Sequence, residues 1–272
     1  MVHLLLLVIL RVLCYQCNID NKDNLWYNNV EVIKLNNNVI FGSKKKTKEE
    51  YMNEAIRGME EVTKDLYSTH VSGGNILESR VKHIYAVAEL MKKVAIKVIK
   101  QIMIESDFCS LKVEDNNILY TTTYDAIVAA YLHDVGYIKS IQEFGYHPVD
   151  GYLYVKKKWG EPIIANVVLW HMSAKELAPS ELNHFYKDVW YGNSKVNEFK
   201  FKVLSSLIDF CDSHVDSEGR ICTLDKRLSD ITKRHGFDSK RVVVFKAALS
   251  TLKENEKYIL NVLGVSSILD IL

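Results

Sequence analysis

Six residues carry the chemistry that this sequence offers: His83, His133 with its neighbour Asp134, His147, His171 and Asp209. Singly, each has an ordinary explanation, since a lone histidine on a helix is usually a surface or hydrogen-bonded core residue. Asp209 is harder to dismiss. It lies between Ile208 and Phe210 in the apolar run VLSSLIDFCD, where a carboxylate is costly unless it is paired or bound to a metal. Imidazole and carboxylate together suit Mn, Fe, Co, Ni or Zn, and carboxylate-rich variants also accept Mg. A cation so held acidifies bound water and stabilises negative charge that develops on a nearby oxygen.

Those side chains need helices to bring them together, and the apolar spacing supplies them. Tyr51 to Leu66 repeats at three and four residues, and Glu78 to Lys100 places Ile84, Val87, Ala88, Met91, Val94, Ala95 and Val98 on one face. Thr123 is expected to cap a segment running through Leu132, which Gly136 ends soon after. Pro148 to Lys158 and Pro162 to Met172 each place proline at a helix start. Asn197 to Asp212, Thr223 to His235 before Gly236, and Asp238 to Leu263 before Gly264 complete the series. His83 precedes Val87 by four residues, and His171 follows Val167 and Val168 by four and three, so both point inward. Asp209 follows Ser205 and Ser206 at the same spacings beside an apolar seam. His133 and Asp134 point about 100° apart on a regular helix, so they share an ion only at the helix end, where they stand.

With these residues in order, the sequence resembles the HD-domain family of metal-dependent phosphohydrolases. The match is RVKHIYAVAELM for the first histidine, YLHDVGY for the dyad and LIDFCD for the last aspartate, spanning roughly residues 78–236. FGYHPVDGYLYVKKKWGEPIIANVVLWHMSA resembles the insert of a subgroup with two additional histidines, and DFCDSHVDSEGRICTLDKRLSDITKRHG resembles that subgroup's region after the last aspartate. The resemblance implies an all-α, HD-domain-like helical bundle and a divalent metal at His83, His133, Asp134 and Asp209, with Asp212 one turn on as the alternative carboxylate. His147 and His171 then hold a second ion or meet the substrate phosphate, so one or two ions are expected. Asp134 is the expected catalytic orienter or proton acceptor of the attacking water. Many members read HD-x-GK, but here Tyr137 occupies the lysine position. Arg80, one turn before His83, is the expected phosphate-binding residue beside the reading of a surface arginine. The expected partner is a small phosphorylated metabolite or nucleotide. The rival is a catalytically inactive module that binds a nucleotide or partner protein for regulation, and an iron-dependent oxygenase is a third reading. Phosphate release, ligand binding without turnover and oxygen uptake separate the three.

The remaining composition sets bounds. A chain of 272 residues, 48% hydrophobic and 25% charged, has room for a sizeable core and is far from a disordered composition. A net charge of +1 gives no signature of DNA binding or of a membrane surface. Five scattered cysteines do not make a disulfide scaffold, and the Cys14–Cys17 pair has no second pair to complete a zinc site. The expected division is an N-terminal extension over residues 1–48 and an HD-type helical domain over 49–272. The extension opens with a signal-like segment (1–14), whose apolar run Leu4–Leu10 is far shorter than the ~20 residues of a membrane span. It continues into a linker with eight asparagines between Asn18 and Asn38. A cytoplasmic location is expected, or secretion if residues 1–14 act as a signal peptide. Glu176 to Ser194, with Tyr186, Trp190 and Tyr191, reads as interhelical packing or as a cap over the site.

Overall fold

A computed structural model describes residues 47–106, 115–187 and 194–271. Residues 1–46 of the extension, Cys109, Trp190 and Tyr191 lie outside the described residues. The chain divides into two units, residues 1–62 and 63–272. The described part of the first is Thr47 and the opening of helix α1 (Lys48–Ser72). Its start is a reciprocal cap: the Thr47 N–H donates to Glu50 Oε2 at 2.6 Å, and the Glu50 N–H donates to Thr47 Oγ1 at 3.2 Å.

The second unit is all-α. It contains the rest of α1, then α2 (Glu78–Glu105), α3 (Asp115–Leu132), α4 (His147–Lys158), α5 (Pro162–Trp170), α6 (Ala174–Leu177), α7 (Lys195–Ser213), α8 (Leu224–His235) and α9 (Lys240–Leu263). Among the described residues the one β contact is an isolated antiparallel bridge, Val215 with Ile221. No helix among them is long and apolar enough to cross a membrane. Helix α2 packs on α3, α7 and α9, and α7 also meets α3 and α5. Its inward stripe runs from His83 and Ile84 through Val98, Ile99 and Met103, all buried. The spacing of that stripe makes the segment an amphipathic helix, and burying it against its neighbours is the main favourable term.

Local chemistry sets most boundaries. Pro148 and Pro162 sit in the first turns of α4 and α5. Ser194, Thr223 and Ser239 cap α7, α8 and α9 by accepting from the N–H three residues on. Two expected boundaries are corrected. Helix α3 begins at Asp115, so Thr123 is interior, and its hydroxyl donates to Leu119 O at 2.8 Å instead of capping. Helix α5 stops at Trp170 because Met172 adopts a left-handed backbone (φ 48°, ψ 47°).

Candidate metal centre

The dyad is delivered where α3 ends. Residues Ala126 to Leu132 are buried all round, and the chain leaves the helix at His133. His133 Nδ1 stays within 2.8 Å of Ala130 O, one turn back. A single tight turn follows, with the Tyr137 N–H donating to Asp134 O and the Ile138 N–H to Val135 O, each at 3.0 Å. Gly136 lets this turn lie directly on α4: a Cβ there would stand 2.0 Å from His147 O and 2.6 Å from Gly151 N. That close approach puts His147 Nε2 at 3.3 Å from Asp134 Oδ1.

His83 is aimed by the segment that follows α7. Its Nδ1 lies 3.0 Å from Asp216 O. The Asp216 carboxylate accepts from the Glu218 and Arg220 N–H groups, both at 2.9 Å, and from Arg220 Nε at 2.8 Å, which folds the segment into a rigid hook. Gly219 (φ 78°) permits that hook to press on α2, since a Cβ there would meet Lys82 O at 2.8 Å. The far side of the ring, Nε2, faces Asp212 Oδ1 at 2.9 Å and Asp134 Oδ2 at 3.9 Å.

Of the two carboxylates expected at the end of the set, Asp212, the alternative, lies against His83, and Asp209 does not. Oδ1 of Asp212 faces His83 and also lies 3.3 Å from Arg227 Nη2. One ligand atom each from His83, His133 and Asp212 lies within 4.8 Å of the other two. Asp209 is one turn earlier, and its Oδ1 accepts the Met172 N–H at 2.7 Å. Burial pushes the Asp209 carboxyl up to about 6, against the pull of that hydrogen bond and of His171.

The second group comprises Asp134, His147 and His171, again with ligand atoms mutually within 4.8 Å. His171 follows the end of α5, its Nδ1 2.6 Å from Val168 O and its Nε2 3.7 Å from Asp134 Oδ1. Asp134 therefore faces both groups, with Oδ2 toward His133 Nε2 at 3.4 Å and toward Arg80 Nη1 at 2.6 Å. Burial opposes ionisation of Asp134, but the positive charge of Arg80 and the contacts of His133 and His171 hold its carboxyl well below the usual range. Burial likewise opposes ionisation of Asp212, and His83 and Arg227 outweigh it, so this carboxyl too is held low. Burial lowers the imidazolium of His83 and, more strongly, that of His147. In His171 burial is outweighed by Asp134, and the shift is upward.

The donor set fits a divalent cation. In neutral His83, His133 and His171 the proton belongs on Nδ1, which faces a carbonyl oxygen, so Nε2 presents a lone pair, the arrangement of metal-bound histidines. His83 Nε2 and His133 Nε2 are buried without a hydrogen-bond partner. At 2.9 Å from Asp212 Oδ1, His83 Nε2 is at bonding distance but not in hydrogen-bond alignment. Lone pairs brought so close in a dry interior need positive charge between them.

Residues 80–198 match the family model described as HD domain. This part of the chain is an HD domain. The HD domain is the fold of a superfamily of metal-dependent phosphohydrolases, and the match takes in the whole run from Arg80 to His171. No curated protein and no solved structure matches the chain.

Around the HD dyad the structure adds contacts that the sequence did not show, and two residues, Arg227 and Arg241, that it did not single out. Arg227 is buried between Asp212 and Asp230, with its Nη1 3.4 Å from Asp230 Oδ2. Its signal in the sequence was a basic residue one turn before Ile231, on the apolar side of α8. Tyr137 stacks on His147 (centroids 4.1 Å apart, 17° between planes), while the Arg80 guanidinium covers its other face at 4.3 Å. The positive charge of Arg241, at the start of α9, acts on Tyr137. No sequence signal links residues so far apart.

Proposed function

We propose that the chain is a metal-dependent phosphohydrolase acting on a phosphate ester or nucleotide. His83, His133, Asp134 and Asp212 would hold one divalent cation; His147 and His171, sharing Asp134, would hold a second. The observation that carries this reading is the division of the Asp134 carboxylate, with Oδ2 toward His83 and His133 and Oδ1 toward His147 and His171. A bound cation, one of Mn, Fe, Co, Ni or Zn, or Mg, would acidify a coordinated water and stabilise the charge that develops on the phosphoryl oxygens.

The chain's own groups do the rest. Asp134 orients the attacking water. The carbonyl oxygens of Asp216, Ala130 and Val168 fix the rings of His83, His133 and His171 through Nδ1, so these side chains do not reorganise when substrate arrives. Arg80 lends one Nη to Asp134 and keeps donors free for a phosphate oxygen, and its stack on Tyr137 holds the guanidinium plane in place. Arg241 adds a second positive charge near the same ring. These two arginines supply the positive face that the lysine of HD-x-GK sequences would otherwise provide.

The test is metal analysis of the purified protein followed by phosphate release from a panel of phosphomonoesters and nucleotides. The expected result is metal-dependent phosphate release that His133→Ala and Asp134→Ala abolish, together with metal binding, while the helical circular dichroism persists. Full activity of either variant refutes the assignment. Nucleotide binding by the metal-loaded protein without any phosphate release would favour a regulatory module instead.

A further inference from the structure

Asp209 stands outside both ligand groups, yet its carboxylate is aimed at the backbone directly after His171. It accepts the Met172 N–H at 2.7 Å. Met172 (φ 48°, ψ 47°) and Ser173 (φ 56°, ψ 35°) are consecutive left-handed residues, and among the described residues they are the only non-glycines with positive φ. An L-residue is disfavoured there, and two in succession persist only where the surroundings over-determine them. Here the surroundings act from two sides. The Met172 side chain packs against the cluster of Leu224, Ile231, Val242, Phe245 and Leu252, and Asp209 holds its N–H. The turn decides where α5 stops, and with it the backbone of His171, whose ring is tied to Val168 O and faces Asp134.

We infer that Asp209 is a positioning residue: by gripping the Met172 N–H it holds the left-handed turn that sets His171 against Asp134, without itself binding a cation. The inference rests on the proposed reading of His171 as a metal ligand. It gives the half-buried carboxylate of LIDFCD a role different from ligation, and it explains how two non-glycine residues keep a glycine-like conformation beside the site.

The experiment is a Co²⁺ titration of the full chain, read by stoichiometry and visible absorption, on the parent, His171→Ala, Asp209→Ala, Asp209→Asn and the double variant Asp209→Ala/Ser173→Gly, with circular dichroism as the check on folding. His171→Ala should lose one of two ions. Asp209→Ala should weaken the same ion about 10- to 100-fold, the usual effect of removing a group that orients a ligand, and leave the other ion alone. Asp209→Asn keeps an oxygen for the Met172 N–H and should stay within about threefold of the parent. Adding Ser173→Gly to Asp209→Ala should recover part of the loss, because glycine takes the left-handed conformation without steric cost. Two parent-like ions in Asp209→Ala overturn the inference, and so does an Asp209→Asn variant as impaired as the alanine. Should Asp209→Ala fail to fold, the asparagine variant decides by the same criterion. Two parent-like ions in His171→Ala would instead overturn the ligand reading beneath it.

Discussion

Gly136 offers the sharpest test of how the site is assembled. Its backbone is not left-handed, so the argument for glycine is purely steric. A methyl group there would lie 2.0 Å from His147 O and 2.6 Å from Gly151 N, and both are backbone atoms of α4 that cannot rotate aside. A carbon and a carbonyl oxygen need about 3.3 Å, so Gly136→Ala must part the dyad turn from α4 by about 1 Å. His147 Nε2, 3.3 Å from Asp134 Oδ1, would leave the reach of a shared ion. Overpacking of this kind costs about 1–3 kcal/mol, a melting-temperature drop of about 5 °C for a domain of this size. A misplacement of about 1 Å in a catalytic constellation costs about 100-fold in rate. The assay is phosphate release and metal stoichiometry on Gly136→Ala, with Gly145→Ala as the control from the same connection. Gly145 is left-handed (φ 70°) but has open space around its Cβ, so its substitution strains the backbone without parting Asp134 from His147. A Gly136→Ala protein with parent-like turnover, ion content and melting temperature would refute the reasoning.

Three further outcomes follow from other contacts. Removing the buried guanidinium beside Asp212 by Arg227→Met should weaken binding of the ion at His83 and His133 by about 10- to 100-fold, measured by metal titration, since Nη2 orients that carboxylate; unchanged affinity would show that His83 alone aims it. Glu161, at the start of α5, is pushed up to about 7 by burial and by Asp125, partly offset by Lys200, with Tyr124 also nearby. An acid raised in the folded state contributes stability that is full below the unfolded value near 4.5 and is lost as pH rises through about 7. Glu161→Gln should therefore melt above the parent at pH ~8, by about 1–2 kcal/mol after allowance for partial exposure, and alongside it at pH ~4; an equal difference at both pH values contradicts this. Arg241→Ala should raise KM for a phosphorylated substrate with little change in kcat, because its positive charge is felt at Tyr137 and His147 while it belongs to neither ligand group; a kcat loss at unchanged KM would place it in the chemical step.

The fold was largely legible because helix periodicity, prolines at helix starts and serine or threonine caps are local signals. α4, α8 and α9 begin within two residues of their expected starts. The miss at α3 came from Thr123, whose hydroxyl can either cap a helix or bond back along one; which it does depends on whether the residues before it have an apolar neighbour to cover, and here α2 covers them. His133, Asp134 and His147 were singled out by their places at helix ends, and the inward phase of His83 and His171 was legible for a similar reason, since phase is a property of one helix at a time. Phase does not choose between Asp209 and Asp212. Asp209 and Asp212 are three residues apart on α7, both turned inward and both beside apolar neighbours. What separates them is not on α7: His83 arrives from α2 opposite Asp212, and the left-handed Met172 presents its N–H to Asp209. The same limit hid Arg227 and Arg241. Periodicity tells which way a side chain points, but the partner at the end of it belongs to another element, and long-range packing alone decides whether that partner is a histidine, a guanidinium or a strained peptide.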